Sequence, residues 1–190
     1  MGPLGSLAVV AWHTGTVATR ILFIRAVNVG GVKLPMAEFR MLLEELGARD
    51  VRTYIASGNA VIELDGDSVR FERAVEAEVQ QRYGYFREVM TRTPSELQAA
   101  LDAHPFDVDD ESYSYVSLLS AEPSGEALAA ASAVRTGDDQ WQVIGRELHL
   151  RYASGAGQAV LSQEALTKRL GVAATARNLR TIRKLLDLAG

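Results

Sequence analysis

Arg-Ile-Leu-Phe-Ile-Arg-Ala-Val, residues 20–27, is a nearly continuous apolar run rich in β-formers, broken by one charge at Arg25. A run of this kind predicts a central strand covered on both faces. Asn28-Val29-Gly30-Gly31 ends it, and Pro35 stands where a helix begins. Met36, Phe39, Leu42, Leu43 and Leu46 then recur at helical spacing, with Gly47 as the stop. Two short strands follow, Val51 to Ile55 and Ala60 to Leu64, joined by the turn cluster Ala56-Ser57-Gly58-Asn59. Asp67 or Ser68 caps a second helix bearing Phe71, Ala74, Val75 and Val79, and Gly84 closes it. Tyr85 to Thr91 reads as a fourth strand. Residues 20–91 therefore read β-α-β-β-α-β, the ferredoxin-like order, with the 20–27 strand central.

The second half reads as a smaller, less regular α+β unit. Thr93-Pro94-Ser95-Glu96 is a capping box with proline at the first helical position, and that helix ends at His104 before Pro105. Tyr113 to Leu119 alternates as a strand, and Pro123 to Val134 is an alanine-rich helix. Trp141 to Ile144 and Glu147 to Tyr152 form a hairpin around Gly145-Arg146, the glycine fitting a type II′ turn. That register pairs Val143 with Leu148 and Trp141 with Leu150 on one apolar face, leaving Gln142 and His149 on the other. Ser162 caps a further helix, stapled by Leu161 and Leu166 and ended by Gly171. A last helix is expected over Ala176 to Leu188, with Leu179, Ile182, Leu185 and Leu186 inward. The expected fold class is α+β, with 19–103 as the ferredoxin-like half packed on a second half at 104–190. Residues 1–18 read as a leader or expression-derived segment: Gly2-Pro3-Leu4-Gly5-Ser6 resembles a cleaved tag, and the apolar stretch after it lacks the basic region of a secretory signal.

Composition removes several function classes. The 190 residues include no cysteine, which excludes disulfides, thiolate nucleophiles, iron–sulfur clusters and Cys-ligated zinc. Three separated histidines make a histidine-rich metal site a poor expectation. Twenty basic against 24 acidic residues, formally −4, does not favour general nucleic-acid affinity. Bases would also need aromatics on the first and third strands to stack on, and Ala60 to Leu64 has none. No apolar run spans a bilayer. Walker A, HExxH and GxSxG motifs are absent. The expectation is a cytoplasmic domain with no cofactor, no metal and no membrane contact, its oligomeric state left open.

The stretch RILFIRAVNVGGVKLPMAEFRMLLEELGARDVRTYIASGNAVIEL at 20–64 resembles the opening of the domain of unknown function 1697 family. His-Pro-Phe at 104–106, Gly-Arg at 145–146 and LGVAATARNLRTIRKLLDLA at 170–189 agree with it. The resemblance implies a largely bacterial family and the fold, and brings no activity with it. Ala26 stands where the family usually has glycine.

The polar residues that demand partners define a candidate site. Arg25, read as lying inside a buried strand, needs a carboxylate, a carbonyl cluster or a bound anion. Asn28, Gly30 and Gly31 end that strand in a turn whose backbone N–H groups can form an anion nest. Asn59 opens the strand expected beside it. Arg177, read at a helix start, is comfortable only near a negative group. One shared anion would satisfy Arg25, Asn28, Asn59 and Arg177 together in a cleft between the halves. The chemistry fits a nucleotide or phosphorylated metabolite, held electrostatically, and leans away from an enzyme. The alternative is a non-catalytic structural or protein-interaction domain whose arginines are purely structural. His149 is the one histidine placed for acid–base work. Acidic residues at 107–111 lack calcium-loop spacing and read as a solvated loop, and Arg180, Arg183 and Lys184 share a face of the last helix that reads as solvated.

Overall fold

The computed structural model describes residues 16–28, 31 and 33–190. Gly30 and nearly all of the 1–18 segment lie outside the described residues. The chain alternates strands and helices: β1 (Ala18–Ile24), α1 (Met36–Glu45), β2 (Arg49–Tyr54), β3 (Asn59–Leu64), α2 (Ser68–Tyr83), β4 (Val89–Arg92) and α3 (Pro94–Asp102). Then come β5 (Ser114–Leu119), α4 (Gly125–Ala131), β6 (Gln140–Ile144), β7 (Glu147–Arg151), α5 (Gln163–Leu170), β8 (Ala174–Asn178) and α6 (Leu179–Ala189).

Local chemistry sets most boundaries. Asp67 accepts from the N–H groups of Val69 and Arg70 at the start of α2. Thr93 and Glu96 form a reciprocal capping box on α3. Ser124, Ser162 and Asn178 cap α4, α5 and α6 through their side chains. Gly84 and Gly171 end α2 and α5 in the left-handed conformation that a Cβ disfavours. The β6–β7 hairpin has the expected register, Trp141 opposite Leu150 and Val143 opposite Leu148, with Gly145 at φ 59°.

Two antiparallel four-stranded sheets result, ordered β2-β3-β1-β4 and β6-β7-β5-β8. β1 is interior, as expected of its apolar run. The second half is more regular than its sequence implies: it repeats the β-α-β-β-α-β-α order and the strand order of the first. The correspondence holds residue by residue. Ile24 pairs with Val89 as Leu119 pairs with Ala174, and Phe23 pairs with Asn59 as Leu118 pairs with Glu147. The loop hydrogen bond from Ile24 N to Gly58 O recurs from Leu119 N to Arg146 O.

Three apolar clusters fill the layers. Alternate residues of β1 and β3 (Leu22, Ile24, Ala60, Ile62) pack against α1 and α2. Leu148 and Leu150 of β7 pack against α5 in the same way. Between the sheets, Ile21, Phe23, Val61, Val116 and Leu118 meet Leu97 and Leu101 of α3 and Leu179, Ile182 and Leu185 of α6. Each sheet thus buries both faces, and the central layer is shared.

Several expectations are corrected. The expected last helix from Ala176 is instead β8 followed by α6. Residues 174–178 pair along β5, and Asn178 caps the helix only after them. The first strand ends at Ile24, so Arg25 and Ala26 lie beyond it. Ala26 adopts φ 49°, a left-handed conformation that favours glycine. The fourth strand begins at Val89 rather than Tyr85, and the alanine-rich helix spans only Gly125–Ala131. The acidic 107–111 loop and the basic residues around it are not separately solvated. Asp109 pairs with Arg151, Asp110 with Arg180 and Glu111 with Arg183.

His149 is fully buried, not on an accessible polar face. Its Nδ1 lies 3.2 Å from Nδ1 of His104, and neither Nε2 has a hydrogen-bond partner. The His149 side chain presents no exposed surface for a substrate to reach. Burial and the neighbouring His104 push its pKa down to about 4. The folded state therefore holds His149 neutral while the unfolded chain binds a proton near pH 6.5. The stability this supplies is complete above the unfolded pKa and drains away as pH falls toward 4, a loss on the order of 3 kcal/mol. Urea titrations from pH 7 to 4.5 are expected to show this slope, and His149→Leu to flatten it.

Candidate functional site

Arg177 is the centre of the seam between the halves. It lies on β8 one residue before the cap of α6, where the strand register aims it at the first sheet. All five guanidinium N–H groups are engaged. Nε donates to Asn59 Oδ1 (2.5 Å), Nη1 to Thr175 Oγ1 (2.9 Å) and Ala176 O (2.7 Å), and Nη2 to Ile24 O (3.3 Å) and Ser57 O (2.7 Å). Its Cζ stands 5.7 Å from the Phe23 ring centroid. Every one of these acceptors is neutral. Burial pushes the pKa of Arg177 down to about 10, so it remains a cation at neutral pH. Asn59, fully buried, is oriented for this contact by donating Nδ2 to Tyr54 O and Ser57 Oγ. The turn beneath requires Gly58: at φ 75°, a Cβ there would sit 2.3 Å from the Ile24 side chain.

The opposite seam carries the reciprocal contact. Arg92, last in β4 and one residue before the cap of α3, is 4% exposed. Its Nε donates to Glu147 Oε1 (3.0 Å), Nη1 to Thr91 O (3.0 Å) and Nη2 to Leu119 O (3.2 Å). By strand register Arg92 corresponds to Arg177, Glu147 to Asn59, Thr91 to Ala176 and Leu119 to Ile24. Each half thus sends one arginine to the end of the first strand and the start of the third strand of the other. Only one of the two meets a carboxylate.

The expected cluster divides. Arg25 and Arg177 do line one open cleft between the halves, about 470 Å³, with Ser57, Glu164, Thr167 and Ala176. Asn59 lies behind Arg177, holding it. Arg25 is not a buried strand charge: its side chain is 42% exposed, and Nη1 is 3.2 Å from both carboxylate oxygens of Glu88. Asn28 does not face this cleft. Its Nδ2 donates to Leu34 O and Ala56 O, and its Oδ1 accepts from Leu34 N, which locks the loop before α1. Gly31 lines a separate surface dent with Asn28, Lys33 and Pro35.

Backbone donors, invisible to a search for side chains, complete the cleft. Arg25 N donates to Glu88 O, and Ser120 N to Ala173 O. Antiparallel alternation then turns the N–H groups of Val89 and Thr91, and of Ala174 and Ala176, away from the neighbouring strand. In the first half two acids of α2 take them: Glu76 accepts from Val89 N (2.9 Å) and Glu72 from Thr91 N (2.7 Å). In the second half no side chain or loop carbonyl among the described residues takes those of Ala174 and Ala176. Both residues line the cleft. Counted from their caps, Thr167 of α5 stands where α2 has Glu72, and α5 stops at Gly171, the position that would match Glu76.

Sequence reasoning missed Arg92, Glu72 and Glu76. Arg92 has a legible sign: an arginine one position before a helix cap occurs in both halves, Arg92-Thr93 and Arg177-Asn178. The two glutamates have none, because they read as ordinary residues of a solvated helix. Among the described residues no group of three or more His, Cys, Asp or Glu side chains could hold a metal ion.

The family model described as a protein of unknown function (DUF1697) matches residues 17–149. Among solved structures, the chain is similar to the conserved bacterial protein SP0830 from Streptococcus pneumoniae. The two share 20% identity and a TM-score of 0.67, over 92% of this chain and 100% of that one. At that identity the likeness concerns the fold. No curated protein matches.

Arg177→Ala and Arg92→Ala are each expected to cost about 3 kcal/mol or more in urea unfolding, since both strand ends lose charged donors. Arg25→Ala, removing a partly exposed ion pair, should stay within about 1 kcal/mol.

Proposed function

The chain belongs to the domain of unknown function 1697 family, and from its cleft we propose that it binds an anionic small molecule between its halves. The donors differ from those the sequence suggested. The oxyanion meets the N–H groups of Ala174 and Ala176, with Arg25 and Thr167 on the walls. Arg177 supplies charge from behind rather than hydrogen bonds, because its five donors are spent. Asn28 and Gly31 take no part.

The observation that carries this reading is the asymmetry between two equivalent strand edges. A backbone N–H turned away from its strand neighbour needs another acceptor, and those of Ala174 and Ala176 face the open cleft. On β4 the protein provides two carboxylates of its own. On β8 it provides none, and the adjacent buried arginine has no carboxylate partner among the described residues. A carboxylate or phosphate oxygen on the ligand fills the chemical role that Glu72 and Glu76 fill in the first half. Glu164 on the cleft wall disfavours high ligand charge, which argues for one oxyanion group over a polyphosphate chain. The described cleft residues offer donors and charge for holding an oxyanion, so the reading is of binding. A second reading, a non-catalytic interaction domain with purely structural arginines, is supported by the internal saturation of Arg177 and the Arg25–Glu88 pair.

Thermal-shift and calorimetric titrations with inorganic phosphate, nucleoside monophosphates and short carboxylic acids separate the two. A saturable response to at least one is expected. Thr167→Glu supplies the missing acid from within, raising apo stability by about 1 kcal/mol and removing the response. A folded wild type with no response to any of these oxyanions, and a Thr167→Glu variant no more stable, would leave the structural reading.

A further inference from the structure

The edges of the two sheets are not equally protected, and we propose that the β6 edge pairs antiparallel with the β6 edge of a second copy of this chain. This stands apart from the use of the cleft. A free strand edge presents backbone donors and acceptors that invite another strand unless something blunts it. β2 is blunted: its register with β3 is irregular between Arg49 and Arg52, Asp50 has φ 47°, and Arg49, Asp50 and Arg52 are charged. β4 is capped by Glu72 and Glu76. β8 opens into the cleft. β6, Gln-Trp-Gln-Val-Ile, has no charge, no proline and an unbroken register with β7, its one strand partner.

The hairpin decides which groups of β6 face outward. A two-residue turn at Gly145-Arg146 closes on a hydrogen-bonded Ile144–Glu147 pair. Alternation then directs Gln142 and Gln140 toward β7, and the N–H and C=O of Trp141 and Val143 away from it. Among the described residues no loop group bonds to the backbone of either residue.

Self-complementarity selects a second copy over another occupant. A two-fold axis at Gln142 sets Trp141 opposite Val143 of the second copy, the pair whose backbone groups point outward. At each end of that pairing, the turn residues Asp138 of one copy and Arg146 of the other flank the paired strands, with opposite charges at both ends. Asp138 and Arg146 are both exposed, and neither is in an ion pair among the described residues. Backbone bonding, an apolar cross-strand pair and two opposite-charge pairs thus agree in one symmetric arrangement, an isologous contact that closes. It joins two four-stranded sheets into one of eight.

Sedimentation equilibrium over a wide concentration range tests this with the full chain. The wild type is expected to move from monomer to dimer as concentration rises. Val143→Pro removes an outward donor without touching the bonds to β7 and should weaken association about tenfold or more. Arg146→Asp sets like charges opposite each other and should weaken it similarly. Adding Asp138→Arg to Arg146→Asp restores opposite charges and should recover association, which decides the matter even if the proline variant fails to fold. A wild type that stays monomeric at every concentration, whether the edge is bare or taken by a different protein, overturns the proposal. So does a dimer indifferent to both Val143→Pro and Arg146→Asp.

Discussion

Two arginines crossing between the sheets hold this structure in register. Arg177 leaves the second sheet to close the end of β1 and the start of β3, and Arg92 leaves the first to close the end of β5 and the start of β7. A guanidinium withdrawn from water must have its donors satisfied or it costs far more than it returns. Neither half satisfies its own arginine alone: Thr175 and Ala176 take Nη1 of Arg177 and Thr91 takes Nη1 of Arg92, while Nε and Nη2 of both find acceptors only in the other half. The shared layer of α3 and α6 supplies the apolar driving force, which is non-directional. The arginines fix where one sheet sits on the other.

The same scaffold built twice makes the differences between the halves informative. The first half meets Arg92 with Glu147 and fills the β4 edge with Glu72 and Glu76. At corresponding places Arg177 meets the neutral Asn59 of the first half, and beside β8 stand Thr167 and the helix stop at Gly171. Charge and backbone donors are balanced internally at one seam and left toward solvent at the other. The proposed oxyanion site is this imbalance, located in a cleft whose walls come from both halves.

Most of the first half was legible because its cues are local. The apolar run at 20–24, the Pro35 start, Gly47, Asp67, Gly84 and the Thr93–Glu96 box act within one turn of the chain. The β6–β7 register followed from alternation and a two-residue turn. The helix expected from Ala176 failed because alanine favours a helix and the segment runs straight into one. Pairing with β5, far away in sequence, overrides that propensity. Arg25 failed for a related reason: a continuous apolar run shows that a strand exists and not where its last paired residue lies.

The amino-acid sequence alone determined the β-α-β-β-α-β order of the first half, the interior place of its first strand, most helix caps, the hairpin register and the absence of thiol chemistry. These depend on side-chain periodicity and on hydrogen bonds spanning a few residues. Tertiary structure decided that the second half repeats the first, that Arg177 is saturated by neutral acceptors, that Arg92 mirrors it, and that Asn28 serves its own loop. It also decided which backbone N–H groups of an edge strand find a partner. That last property belongs to no residue type, since every non-proline residue has the same donor. It arises only when a particular helix does or does not place a carboxylate beside a particular strand.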